Sequence, residues 1–311
     1  MDTIRLTAVL TFALALAAVA APARADEPVD LRPKWEAGQT ATYEFWTRVE
    51  RSQTTAFGDR TSTSDMTTRY DGRLRWEVTE AGEGGTTATM TLLWVKAEIA
   101  VGDADPQVID TREASGDNEQ VYAVLSAMAG KPLTITLSPD GTPTAIDGVD
   151  AVRNALAGDL EPLQPEDEEL LETATGLAAL PAAPADAEPG ATWSTSFTWP
   201  HALGEATHDT TFTFERVSTM AGVPIAKVSA TTDIELKPDR EKIGDAEGVS
   251  VTMTGGTESA ELLFDLDRHE MVARNSVQRS TVEIGLDTPQ GRVSRTMTEA
   301  VHGQSIRVSE E

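Results

Sequence analysis

The sequence predicts a mainly β protein: antiparallel curved sheets or half-barrels in two related halves, with two or three short helices. Three observations predict it. Apolar residues recur at every second position through most of the chain, the period of a half-buried strand. Clusters of Gly, Pro and Asp separate these runs at short intervals. The order of runs in the first half returns in the second.

The first strand is "QTATYEFWTRVE" (39–50), with Ala41, Tyr43, Phe45 and Val49 on one face and Trp46 among the polar residues of the other. "SDMTTRYDGRLRWEV" follows, with Met66, Tyr70, Leu74, Trp76 and Val78 in phase; Asp71-Gly72 reads as a bulge or a turn. After the glycine-rich "TEAGEGG" comes "TTATMTLLWVKAEIAV". Ala88, Met90, Leu92 and Trp94 share a face there, and the phase then slips to Val95, Ala97 and Ile99, as a bulge makes it do. Residues 102–117 read as loop. Over 118–129 the period turns helical at Val121, Val124, Leu125 and Met128, with Asp117 placed to cap and Gly130 to stop. "PLTITL", the turn "SPDG" and the return "TPTAI" form a hairpin. A second short helix is expected over 149–158, with the stripe Val149, Val152 and Leu156.

Residues 159–190 differ in composition. Pro165 can open a helix whose first turn holds Glu166, Asp167, Glu168 and Glu169, where the helix dipole favours negative charge. "PAAPADAEPG" then reads as a stiff, extended linker. The expected organisation is a signal peptide over 1–25, an N-terminal β half over 26–158, an acidic helix and linker over 159–190, and a C-terminal β half over 191–311. Strand alternation resumes after Gly190, with Trp193, Phe197 and Trp199 in phase, and continues to the end of the chain. The halves echo each other. "WEAGQTATYEF" (35–45) aligns with "AEPGATWSTSF" (187–197), pairing Gly38 with Gly190 and Phe45 with Phe197. "TITLSPDGTPTAI" corresponds to "ELLFDLDRHEMVA", which makes the SPDG turn a repeated corner and not a unique site.

Arg5, the apolar run Leu6–Ala20 and Ala23-Arg24-Ala25 match a cleavable export signal, with the cut after Ala25. The expected location is therefore periplasmic or extracellular. The chain has no cysteine, so it has neither disulfide staples nor a lipid-bearing cysteine, and its stability has to come from a packed core. The net charge of −26 repels nucleic acid and anionic membrane surfaces.

Catalytic motifs fail in turn. The histidines His201, His208, His269 and His302 lack helical zinc spacing. There is no G-x-S-x-G elbow and no S-x-x-K, and "GEGGTT" lacks the lysine of a phosphate loop. No cofactor is expected, with calcium the weakly indicated exception: "DLDRHE" and "GDADPQ" space carboxylates two apart but lack the full loop pattern.

The segments "KWEAGQTATYEF", "GKPLTITLSPDGTPTAIDGVDAV" and "ELLFDLDRHEMVARNS", behind a signal peptide, resemble an uncharacterised group of exported bacterial β proteins, domains of unknown function. More distantly, a curved sheet plugged by helices is similar to the periplasmic lipoprotein-carrier fold. These motifs are structural and transfer no catalytic residue. The expected function is non-catalytic binding of an apolar ligand or an envelope partner on the concave face, lined by Tyr43, Phe45, Leu74, Trp76, Leu92 and Trp94. The alternatives are a packed core at those positions, a carboxylate-dependent hydrolase, and a module whose acidic 159–172 segment docks a basic protein.

Overall fold

The computed structural model describes residues 28–113, 118–155, 180–201, 203–239, 249–288 and 291–308. The first half contains β1 (Thr40–Phe57), β2 (Arg60–Gly82), β3 (Gly85–Val101), β4 (Gln107–Asp110), α1 (Glu119–Met128), β5 (Pro132–Leu137), β6 (Pro143–Asp147) and α2 (Val149–Ala155). The second contains β7 (Thr192–His201), β8 (Gly204–Met220), β9 (Val223–Pro238), β10 (Val249–Asp265), β11 (Glu270–Thr288) and β12 (Gly291–Val308). All twelve strands belong to one open antiparallel sheet of order β6-β5-β3-β2-β1-β12-β11-β10-β9-β8-β7, with β4 beside β3. The fold is mainly β with minor α, as its alternation predicts. One half winds outward from β1 and the other winds inward to β12. The two meet along a single ladder from Thr42↔Val308 to Phe57↔Val293.

The sequence echo has a structural counterpart. Glu36–Gln39 and Glu188–Ala191 form the same turn, closed by Gln39 N–H to Glu36 O (3.0 Å) and Ala191 N–H to Glu188 O (2.9 Å). Gly38 (φ 86°) and Gly190 (φ 91°) occupy its third position, which requires positive φ. Each glycine N–H then donates across the hairpin, to Val78 O at 2.8 Å and to Phe214 O at 2.7 Å. The β2–β3 ladder skips Thr79 between Val78↔Ala88 and Glu80↔Thr87, and the β8–β9 ladder skips Glu215 between Phe214↔Val228 and Arg216↔Lys227. β5–β6 skips Thr144, and β10–β11 skips Val272 at the matching step. Both halves thus share the opening turn and these two bulges.

The SPDG turn is held internally. Ser138 N–H donates to Thr142 O at 2.8 Å, and Asp140 accepts from the Ser138 hydroxyl and from Thr142 N–H. Its counterpart is held by Asp265, whose Oδ1 accepts from the backbone of Asp267 and Arg268 at 2.9 Å each.

Each half has its own core. The first packs Ala41, Tyr43, Leu74, Trp76, Met90, Leu133 and Ile135 beneath Ala127 of α1 and Val149 and Val152 of α2. The second packs Phe212, Phe214, Val228, Leu262, Phe264 and Met271 beneath Leu31, Leu180 and Ala187. Extended chain therefore caps the second core where helices cap the first. Val29 and Ala187 exchange two backbone hydrogen bonds at 2.9 Å.

Several local expectations change. The end of the Pro/Ala stretch is no spacer: Leu180 and Ala187 are fully buried in the second core. Residues 107–110 are strand and not loop. α1 is capped by Asn118, whose Oδ1 accepts from Val121 N–H at 3.2 Å. The expected export signal and the acidic helix lie outside the described residues, as does Asp117.

Candidate functional site

The inward face of the sheet, near the ladder joining the halves, carries a cavity of about 620 Å³. Strand alternation decides which residues reach it. Phe45 of β1, Leu74 of β2, Met90, Leu92 and Val95 of β3 and Leu133 of β5 form its floor. Leu125 and Met128 of α1, one helical turn apart, and Val152 of α2 close it from above. The end of α1 is tied down by Gly130 (φ 73°), whose N–H donates to Leu92 O at 2.7 Å.

Space for the cavity begins at a glycine. Gly72 is neither a turn nor a bulge. A Cβ there would lie 2.4 Å from Phe45 Cζ, so the missing side chain leaves room for the phenyl ring. The bulge is on the neighbouring strand, where the ladder passes from Arg73↔Trp94 to Leu74↔Leu92 and leaves Leu93 unpaired.

That bulge turns one of the six residues expected on this face, Trp94, to the other, and burial divides the remaining five. Phe45, Leu74 and Leu92 line the cavity together. Tyr43 and Trp76 point inward but are each 1 % exposed and belong to the packed core beneath it. Tyr43 donates to Met271 O at 3.2 Å, and burial raises its hydroxyl above the usual tyrosine range. Trp76 lies 6.0 Å from Trp35. Trp94, beyond the bulge, pairs with Arg73 on the opposite face, where the Arg112 guanidinium stacks 4.1 Å from its ring centroid. Arg112 also pairs with Asp110 and holds that carboxyl below its usual range.

The far wall comes from the second half. Ser305 stands opposite Phe45, and Arg274 opposite Ser305; Ser276 and Gln278 follow on β11, and Glu258 faces Gln278 from β10. Arg274 Nη2 donates to Glu258 Oε1 at 2.6 Å. Ser305 is 4 % exposed, and its hydroxyl has no hydrogen-bond partner among the described residues. Sequence reasoning missed this wall. Its one local signal was Glu258, which shares the inward phase of Ala260 and Leu262.

The outward face of β1–β3 is polar. Arg73–Glu44 (2.5 Å), Arg69–Asp71 (2.8 Å), Arg48–Glu50 (2.7 Å) and Lys96–Glu98 (2.6 Å) cross it as ion pairs. A lipid-facing barrel wall has the reverse arrangement, apolar outside and polar within. Among the described residues, no helix is long and apolar enough to cross a membrane and no group of three metal-ligating side chains converges. His269 sits in the turn after β10, its Nδ1 3.1 Å from Arg32 O and its Nε2 3.1 Å from Lys34 Nζ.

No family model and no curated protein matches the chain. Among solved structures, lipovitellin, solved in a study of lipid–protein interactions, is similar over 89% of this chain at 11% identity and a TM-score of 0.44. The chain spans only 26% of that protein's length. The outer membrane protein OprG of Pseudomonas aeruginosa matches over 88% of this chain and 98% of its own (5% identity, TM-score 0.22). A DUF1329 family protein of Desulfovibrio piger matches over 82% and 83% (6% identity, TM-score 0.15). Likeness at this level assigns neither a family nor a function.

Proposed function

We propose that the protein is an exported, non-catalytic binding protein that holds an apolar ligand between the inward face of the sheet and the two helices. The observation that carries this reading is the 620 Å³ cavity floored by Phe45, Leu74 and Leu92 and roofed by Leu125, Met128 and Val152. Ligand sites for small molecules are concave, mostly apolar and roughly 300–1,000 Å³. Each alkyl CH₂ transferred into such a site is worth about 0.8 kcal/mol. The polar outer face keeps the loaded protein in water. The hydrolase reading needs two facing carboxyl groups; among the described lining residues Glu258 is the carboxylate, and it is engaged by Arg274.

Native mass spectrometry of protein exported and purified without detergent tests the reading. The expected spectrum shows an added mass that denaturation releases and organic solvent extracts. Protein that is bare, and that also takes up no added long-chain amphiphile, overturns it.

A further inference from the structure

We infer that two copies of this chain pair antiparallel along β7, about a two-fold axis that sets Thr195 opposite its own copy, and so join their sheets into one.

An open sheet ends on two edges, and here they differ. β6 at one end is five residues long, opens with Pro143 and closes with Asp147. A short edge, a proline and a charge all discourage a further strand. β7 at the other end is ten residues long and has no Asp, Glu, Lys or Arg, in a chain of net charge −26. Acidic charge keeps copies of such a chain apart. Along β7 that charge is missing, and with it the usual block to strand addition.

The phase of β7 decides which groups face the free side. Phe214 N–H donates to Ala191 O at 2.9 Å, in register with the β7–β8 ladder. Opposed residues alternate between hydrogen-bonded and non-hydrogen-bonded pairs. Trp193, Thr195 and Phe197 therefore direct their backbone groups to β8, whereas Thr192, Ser194, Ser196 and Thr198 direct theirs away from it. The hydroxyl contacts Ser194–Thr211 (3.2 Å) and Thr198–Thr207 (3.1 Å) agree, because side chains lie closer in non-hydrogen-bonded pairs. Among the described residues, no strand takes up the outward groups. Pro200, next in the same phase, has no N–H and ends the usable edge.

This edge is complementary to itself. With Thr195 opposite its copy, Thr192 faces the partner's Thr198 and Ser194 faces the partner's Ser196. The outward backbone groups of each copy then meet those of the other. Trp193, half-buried and stacked on Phe212 at 5.2 Å, stands opposite the partner's Phe197, a favourable aromatic cross-strand pair. Such a contact is isologous and closes at two copies.

The chain has no cysteine, so single introduced cysteines report the register without background. Thr195→Cys puts the thiol in a non-hydrogen-bonded pair with its own copy, Cα atoms about 4.5 Å apart and within disulfide reach. Thr192→Cys lies roughly 20 Å from its copy. Under mild oxidation of the exported protein, the first is expected to cross-link at least about tenfold faster than the second. Equal rates overturn the inference. Sedimentation of the unaltered protein measures the association itself. The paired segment is short beside the roughly 20–30 residues a side of a standard interface, so a reversible dimer with a Kd of roughly 1–100 μM is expected. Ser196→Pro removes an N–H that β8 does not use. It should keep the wild-type urea midpoint and weaken the dimer at least about tenfold. Ser196→Lys, which brings like charges together near the axis, serves if the proline variant does not fold. A protein that stays monomeric up to about 1 mM, or a dimer that neither variant weakens, overturns the inference.

Discussion

At the scale of single residues, two positions govern the site and its surroundings. Gly72 accommodates the Phe45 ring on the neighbouring strand. Gly72→Val should push that ring into the cavity and destabilise the protein by roughly 1–3 kcal/mol, the usual range for overpacking. Urea unfolding and the loss of amphiphile uptake check this together. Glu270 is fully buried at the start of β11, facing Arg307 at 2.9 Å and Arg268 at 3.6 Å, with Gln39 donating to its other oxygen. Burial raises its carboxyl above the usual glutamate range, and the two arginines only partly oppose it. The folded state therefore holds this proton more tightly than the unfolded chain does. Its stabilising contribution is complete below the ordinary value of 4.5 and is lost as pH rises through the raised folded value. Glu270→Gln, which remains neutral, should gain urea stability relative to the wild type as pH rises above the ordinary glutamate value of 4.5. Asp30 has the opposite sign. Burial raises its carboxyl, but hydrogen bonds from Arg32 and Lys34 outweigh this and hold it well below the usual range. Its contribution is present above 3.8 and is lost as pH falls through the folded value.

At the scale of elements, the repeated corner gives a matched pair of tests. Gly38 and Gly190 have nearly the same positive φ, and neither would bring a Cβ within 4 Å of another group. Alanine at either position therefore costs only backbone strain, about 1 kcal/mol, and the two losses should agree closely in chemical denaturation. A large inequality would mean that the two corners are not equivalent. Much of this level was legible in the sequence. Strand alternation located β1–β3 and β7–β12, and Gly38 and Gly190 were paired on eleven residues of text. Alternation is ambiguous where phase changes within a strand. It puts Trp94 on the face of Leu92 because it does not say which residue of Leu92–Leu93–Trp94 is bulged out. β4 was missed because four residues next to Gly102 and Pro106 give too short a pattern. The polar wall was illegible for a different reason: its serines and arginine meet Phe45 only through a ladder linking positions more than two hundred residues apart. No local periodicity encodes that pairing.

At the scale of the whole molecule, the β1–β12 ladder makes two meanders one sheet. Separated halves would each expose an edge of eighteen residues, β1 in one and β12 in the other. Such edges favour strand addition and aggregation. The halves expressed apart should be insoluble or oligomeric by light scattering, and co-expressed they should recover a one-to-one complex. The same ladder sets an order of events. Contacts between strands so distant in sequence form late, because the loop they close must be ordered first. The cavity takes one wall from each side of that ladder, so a chain still lacking β12 has no compartment to fill. Occupancy is then a signature of completed folding, and any ligand must arrive after the last strand has docked.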